Sequence, residues 1–219
     1  MYDIRVKFDL AIFDLDGTLC DTLADIAASV NRTLHKFNHA TLPIEQVRGY
    51  VGRGARMLLQ QCLAGTKVDV DLALKEFMKA YGEHPVDATR PYSGVEEGLA
   101  LLAGVKKVIV SNKPESLSIE IVKRLGLSGH FLRIVGGDTF PTRKPDPAAV
   151  LETIRQFGAT LESTLMVGDS DIDRDTAKAA GIKCCLVTYG YTDRRKLAGA
   201  EWIVDDFAAV VNVIRGILS

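Results

Sequence analysis

Asp14 and Asp16 stand two residues apart in Phe13-Asp14-Leu15-Asp16-Gly17-Thr18-Leu19, directly after the apolar run Leu10-Ala11-Ile12-Phe13. With Asp14 at the end of a strand and Asp16 just past it, both carboxylates can face one pocket. Two anions that close raise each other's pKa unless positive charge lies between them. A magnesium ion meets that need, because it is a hard cation that takes oxygen ligands. In such a pocket Asp14 can serve as a nucleophile and Asp16 as a proton donor and acceptor. The competing reading is a strand ended by an Asp-Gly turn with two solvated acids, since both are ordinary turn residues.

Further polar clusters follow other apolar runs. Val108-Ile109-Val110 leads into Ser111-Asn112-Lys113-Pro114, and Leu165-Met166-Val167 leads into Gly168-Asp169-Ser170, with Asp173 shortly after. Lys144 opens Lys144-Pro145-Asp146-Pro147. Asp14 and Asp169 suit a Mg²⁺ site, with Asp16 able to lend its backbone carbonyl. Ser111 and Asn112 can donate hydrogen bonds to phosphoryl oxygens, and Lys144 can neutralise their charge. An aspartate can attack phosphorus in line to give an acyl-phosphate that water then hydrolyses. Asp16 would protonate the leaving oxygen first and activate the water second. Each residue also has an ordinary reading. Ser111 can be a turn residue, Lys144 a solvated partner of Asp146, and Lys113 a supporting or solvent-exposed charge. Asp169 can be a helix cap and Asp173 a solvated helix acid. Asp171 and Asp175 read as surface charge, and Asp205 and Asp206 as the turn before the last helix.

Elements must bring these clusters together. The first strand spans about Lys7 to Phe13. Asp21 and Thr22 are good caps for a helix carrying Leu23, Ile26, Ala27, Val30, Leu34 and Phe37 at helical spacing. Short helical patterns follow at Ile44 to Tyr50, Ala55 to Ala64 and Val70 to Tyr81, with Gly52-Arg53-Gly54 as a flexible turn carrying a cation. From about Cys20 to Asp87 no strand is expected. Arg90 to Gly94 reads as a linker or turn. After it, apolar strands (Val108–Val110, Ile134–Val135, Leu165–Val167, Cys184–Val187, Trp202–Val204) alternate with helices, the last at about Phe207 to Leu218. Asp146 caps one of these helices with Pro147 in its first position. That alternation predicts an α/β fold, a doubly wound parallel sheet of Rossmann-like type with a small inserted α-helical cap domain. Residues 1–19 and 88–219 form the core and 20–87 the cap. In such sheets ligands sit at the carboxyl ends of the strands, where all three clusters fall.

Composition narrows the classes. The chain has 219 residues, enough for one large domain or a core with an insertion. Its net charge of −1 gives no field to gather nucleic acid or an anionic membrane. No run is long enough to span a membrane, and Met1 to Arg5 is no signal peptide. A soluble, cytoplasmic protein is expected, a monomer or homodimer acting on a small-molecule phosphate ester. Cys20, Cys62, Cys184 and Cys185 have no metal spacing and read as reduced, mostly buried thiols, with Cys184 and Cys185 on opposite faces of a strand.

Taken together and in order, these residues resemble the haloacid dehalogenase superfamily of phosphohydrolases over essentially the whole chain. Asp14-Leu15-Asp16-Gly17-Thr18 is similar to its first motif, Ser111 to the second, Lys144 to the third, and Gly168-Asp169-Ser170 with Asp173 to the fourth. The resemblance implies Asp14, Asp16, Ser111 and Lys144 as catalytic residues. It adds Thr18 to Ser111, Asn112 and Lys144 as substrate contacts, and implies Asp14, Asp16, Asp169 and Asp173 as the metal set. The second acid, Asp16, resembles a phosphatase rather than a dehalogenase. The helical insertion resembles the family's mobile cap. Tyr50 to Ala55, Arg90-Pro91-Tyr92, Gly136 to Phe140, Lys144 to Pro147 and Thr188 to Tyr191 resemble the phosphoglycolate phosphatase branch. That branch implies a substrate with a carboxylate, for which Arg53 or Arg56 of the cap is the expected partner. Asp171-Ile172 departs from the usual basic residue and asparagine, which leaves that loop's hydrogen bonds open. The alternatives are a pyrophosphatase or a sugar-phosphate or nucleotide phosphatase on the same core, a phosphomutase, and a non-catalytic module that binds a phosphorylated partner.

Overall fold

The computed structural model describes residues 8–217. The expectation for Met1 to Arg5 lies outside the described residues; the first strand begins at Leu10, later than the expected Lys7, and the last helix ends at Ile214, short of the expected Leu218. Six strands form one parallel sheet: β1 (Leu10–Phe13), β4 (Lys106–Val110), β5 (Arg133–Val135), β6 (Thr164–Gly168), β7 (Lys183–Val187) and β8 (Trp202–Val204), in the order β5-β4-β1-β6-β7-β8. Between β1 and β4 lie two short strands, β2 (Cys20–Asp21) and β3 (Arg90–Pro91).

β1 is central and all four of its residues are buried, which is why it reads apolar at every position. Burial of Leu10, Ile12 and Phe13 contributes roughly 1.5–3 kcal/mol each. Alternate residues feed opposite faces. Phe13, Ile109, Val167 and Cys185 join one core layer with helices α5 (Val95–Leu101) and α9 (Phe207–Ile214). Ile12, Val108, Met166 and Cys184 join the other with α7 (Ala148–Phe157) and α8 (Asp171–Ala180). The adjacent cysteines therefore do face opposite layers. Helix α6 (Glu115–Arg124) follows β4.

Four helices lie between β2 and β3: α1 (Leu23–Lys36), α2 (Ile44–Arg48), α3 (Ala55–Cys62) and α4 (Val70–Glu83). Their apolar faces share a cluster that includes Ile26, Leu58, Leu59, Phe77 and Tyr81, and it takes in Leu117 and Ile121 of α6. The insertion thus seats its core directly on a helix of the sheet layer.

Two local expectations change. Arg90–Pro91 is not a linker: it pairs antiparallel with Cys20–Asp21, so the chain leaves and re-enters the sheet layer through a two-residue ribbon. A strand that short carries no alternation to read, and Pro91 removes a donor. Thr22 occupies the cap position of α1, yet its side chain makes no capping bond. Its hydroxyl goes to Asp16 instead, while Asp21 Oδ1 accepts from Leu23 N at 3.2 Å. The return of the chain is tied by buried Asp25, which accepts from Thr89 N at 2.8 Å and Thr89 Oγ1 at 2.7 Å.

Candidate active site

Register places the polar clusters. Phe13 lies beside Ile109 on β4 and Val167 on β6. The residues just beyond, Asp14, Ser111 and Asp169, therefore emerge at one edge of the sheet. Asp14, Asp169 and Asp173 each place a carboxylate oxygen within 4.8 Å of the others, all three residues buried.

Each acid is held in a defined way. Asp14 Oδ1 accepts from Leu15 N at 2.7 Å and lies 3.1 Å from Lys144 Nζ. The Ser111 hydroxyl lies near the same carboxylate and favours its charged form. Asp169 accepts from Tyr191 N at 2.8 Å through Oδ2 and from Thr18 Oγ1 at 3.3 Å through Oδ1. Asp173 Oδ1 accepts from Lys144 Nζ at 2.7 Å. Its Oδ2 closes a capping box with Ser170, whose hydroxyl donates at 2.6 Å, so the helix start around the departing residues Asp171-Ile172 is still capped. Asp16 stands slightly apart. Its Oδ1 accepts from Thr22 Oγ1 at 2.6 Å, and its Oδ2 lies 3.0 Å from Lys113 Nζ.

Two glycines make the room. A Cβ on Gly17 would come within 2.5 Å of Asp169 Oδ2, and one on Gly190 would meet Asp169 and the Gly17 carbonyl. Gly17 also has φ of 81°, which an L side chain rarely adopts.

The electrostatics follow from burial. Asp14, Asp16, Asp169 and Asp173 bring four negative charges against the two positive charges of Lys113 and Lys144, a formal balance of −2. Burial pushes Asp14 up to about 6, with Lys144 pulling it back and Asp173 and Asp16 adding to the rise. Burial, then Asp173 and Asp14, raise Asp169 as well. For Lys144, burial favours the neutral amine, but Asp14 and Asp173 outweigh it and the pKa ends above its ordinary value. Buried oxygens of net charge −2 match a divalent cation.

The remaining site candidates divide. Lys144 is not a surface partner of Asp146, which instead accepts from Ala148 N. Lys113 is buried rather than solvent-exposed. Asn112 donates to Gly52 O and to Lys144 O, both at 2.9 Å, so its amide ties the insertion to the sheet edge. Arg53 faces Asp171 at 3.8 Å, which gives that surface acid a partner, and Arg56 pairs with Asp71 on the outer side. Neither arginine lines the cavity over Asp14. That cavity, of about 40 Å³, is lined by Asp14, Asp16, Ser111, Asn112 and Lys113 and by apolar Ile26, Val51, Leu58 and Phe77. Tyr81, Thr22, Tyr191 and Gly190 belong to the site but carry no spacing signal. Only a position in the stretch Thr188 to Tyr191, already noted, could have flagged the last two.

The arrangement sets a buried carboxylate beside a second acid, a buried ammonium and a cluster of acids that could hold a cation. A family model described as haloacid dehalogenase-like hydrolase matches residues 11–187. The chain is 42% identical over 192 residues to a phosphoglycolate phosphatase of Mesorhizobium japonicum, covering 84% of this chain and 85% of the relative. It is 40% identical over 213 residues to a phosphoglycolate phosphatase of Pseudomonas putida, covering 92% and 78%. A solved structure of a predicted phosphoglycolate phosphatase from Haemophilus somnus superposes with a TM-score of 0.90 at 32% identity, covering 94% of this chain and 98% of that one. The chain belongs to the haloacid dehalogenase-like hydrolase family.

Proposed function

We propose that the protein is a Mg²⁺-dependent phosphomonoesterase that hydrolyses 2-phosphoglycolate to glycolate and phosphate through a phospho-aspartate on Asp14. The observation that carries this reading is the placement of Asp14: buried, bonded by Lys144 and Leu15 N and near Ser111, with a second acid two residues on and a small cavity above. A binding module needs a cationic cradle but no nucleophile paired with an acid/base. The phosphatase names of relatives at about 40% identity agree with it.

In the first half-reaction an Asp14 oxygen bonds to phosphorus as the bond to the leaving oxygen breaks, and Asp16 delivers a proton to that oxygen. In the second, the water oxygen bonds to phosphorus as the bond from the Asp14 oxygen breaks, Asp16 takes a proton from the water, and phosphate leaves with the Asp14 carboxylate restored. Lys144 faces the growing negative charge, and Ser111 and Thr18 orient the acids around it. Asp14, Asp169, Asp173 and the Asp16 carbonyl would hold a Mg²⁺ ion, which when bound neutralises phosphoryl charge so that two anions can meet. Residues 20–87 act as a cap that keeps water from the site while Asp14 attacks.

The cavity over Asp14 is small, about 40 Å³, which favours a short substrate. To meet the substrate's carboxylate, Arg53 or Arg56 would have to leave its surface acid and turn toward the cavity, which neither lines here. Each now holds a solvent-screened surface acid, and such pairs are weak enough to be exchanged for a bound anion. Hydrolysis of phosphoglycolate, pyrophosphate, nucleoside monophosphates, hexose phosphates and p-nitrophenyl phosphate, with and without Mg²⁺, tests the reading. Phosphoglycolate should give the highest kcat/KM, and Asp14→Asn should abolish turnover. Unchanged activity in that variant refutes the covalent route.

A further inference from the structure

Lys113 has no part in the chemistry above, yet it stands at a junction. Its Nζ lies 3.0 Å from Asp16 Oδ2 and donates to the Tyr81 hydroxyl at 2.9 Å. The same nitrogen sits 4.5 Å from the centre of the Tyr81 ring. Lys113 is 6% exposed and Tyr81 1%. Asp16 and Lys113 follow strands of the sheet, whereas Tyr81 belongs to α4 of the helical insertion. One ammonium therefore joins the acid/base to the cap.

Tyr81 is itself well fixed. Ala73, Phe77 and Tyr81 recur every four residues and form the buried stripe of α4. The Phe77 and Tyr81 rings lie 5.5 Å apart. The hydroxyl and ring of Tyr81 thus arrive at Lys113 with the helix and leave with it.

Seating α4 gives the ammonium one hydrogen-bond acceptor and an aromatic face, and removes water. Its remaining hydrogens are then committed toward Asp16 Oδ2, while Thr22 holds Oδ1. The carboxyl is clamped on both oxygens. Lifting α4 removes hydroxyl and ring together and lets water solvate the ammonium. Its hold on Asp16 then falls to that of an exposed pair, which is small.

We propose that Tyr81 is a positioning residue that acts through Lys113 to fix the Asp16 carboxyl for proton transfer only while the helical insertion is seated on the sheet. The inference rests on the phosphomonoesterase reading. As the bond between phosphorus and the leaving oxygen breaks, its electron pair stays on that oxygen. The Asp16 proton moves to the same oxygen while an Asp14 oxygen bonds to phosphorus. Lys113 and Tyr81 keep their protons throughout. The need for the Asp16 proton grows with the basicity of the leaving oxygen, so the device is most exposed on alkyl esters.

The test measures kcat/KM for the unmodified enzyme, Tyr81→Phe and Lys113→Gln over a series of esters: p-nitrophenyl, phenyl and ethyl phosphate. Tyr81→Phe keeps the ring and its packing and removes only the hydroxyl. It should lose about 10-fold on ethyl phosphate and less than about threefold on p-nitrophenyl phosphate, a part of the 10²–10⁴ available to general acid catalysis. Lys113→Gln should show the same trend more steeply. A loss that is uniform across the series in both variants, or absent from both, overturns the proposal and leaves Lys113 and Tyr81 as packing. If the unmodified protein hydrolyses neither these esters nor 2-phosphoglycolate, the phosphomonoesterase reading fails, and the positioning role falls with it.

Discussion

Gly190→Ala isolates one contact of the site. Gly190 is not among the glycines with positive φ, so alanine fits its backbone. The added methyl would meet the Asp169 side chain and lie 2.5 Å from the Gly17 carbonyl. Overpacking of this kind costs about 1–3 kcal/mol. At about 2–4 °C per kcal/mol for a chain of this size, Tm should fall by about 2–12 °C. The larger effect should be on turnover, because Asp169 is also bonded by the neighbouring Tyr191 N at 2.8 Å and cannot move without straining that bond. A displacement of about 1 Å in a site of this type costs about 10²-fold. We expect kcat to fall by that order and the half-saturating Mg²⁺ concentration to rise. Thermal melts and a Mg²⁺ titration of p-nitrophenyl phosphate hydrolysis read both. Gly82→Ala is the control: no atom lies within 4 Å of its Cβ, and a helical alanine there should stabilise by about 0.5–1 kcal/mol. Unaltered kcat and Mg²⁺ dependence in Gly190→Ala would refute the claim that Asp169 must occupy the slot between the two glycines.

Other outcomes follow from the same geometry. Lys144→Met leaves Asp14 and Asp173 without their shared cation and should cost about 3–5 kcal/mol in chelator, with the gap in Tm to the unmodified protein narrowing as Mg²⁺ is added; a gap indifferent to Mg²⁺ would count against the charge balance described. For the unmodified protein, Mg²⁺ at about 100 times its Kd should raise stability by about 2.7 kcal/mol, and chelation should abolish turnover reversibly; a melt insensitive to the ion would remove the case for a bound cation. Arg53→Ala and Arg56→Ala, assayed on phosphoglycolate and p-nitrophenyl phosphate, should cost more on the former for whichever arginine meets the carboxylate; equal losses, or none, exclude that role. Asp25→Ala strips three donors at Ala88 and Thr89 of their acceptor, and proteolysis should then cut near residue 88 faster than in the unmodified chain; equal rates would mean that the ribbon alone holds this passage.

Asp14, Asp16, Ser111 and Asp169 were legible in the sequence because each closely follows an apolar strand, Asp173 because it lies in the first turn of the helix after one, and Lys144 through the motif it resembles. A parallel sheet sends all such positions to one edge. The helices of the insertion were legible through spacing alone. What the sequence did not carry was the partner of each charge. Lys113 read as supporting or exposed, and only the fold buries it between Asp16 and Tyr81, which are distant from each other in the chain. Thr22 read as a helix cap, and the turn of the chain aims its hydroxyl at Asp16 instead. Arg53 and Arg56 read as cations over the cavity, and the seating of the insertion turns them toward Asp171 and Asp71. Gly190 carried no signal of its own, because the space it leaves matters only once Asp169 is folded against it. Residue type and local period determine which groups reach the end of a strand. Which groups then share a proton, a cation or a cavity depends on contacts across tens to more than a hundred residues, and these exist only after the layers have packed.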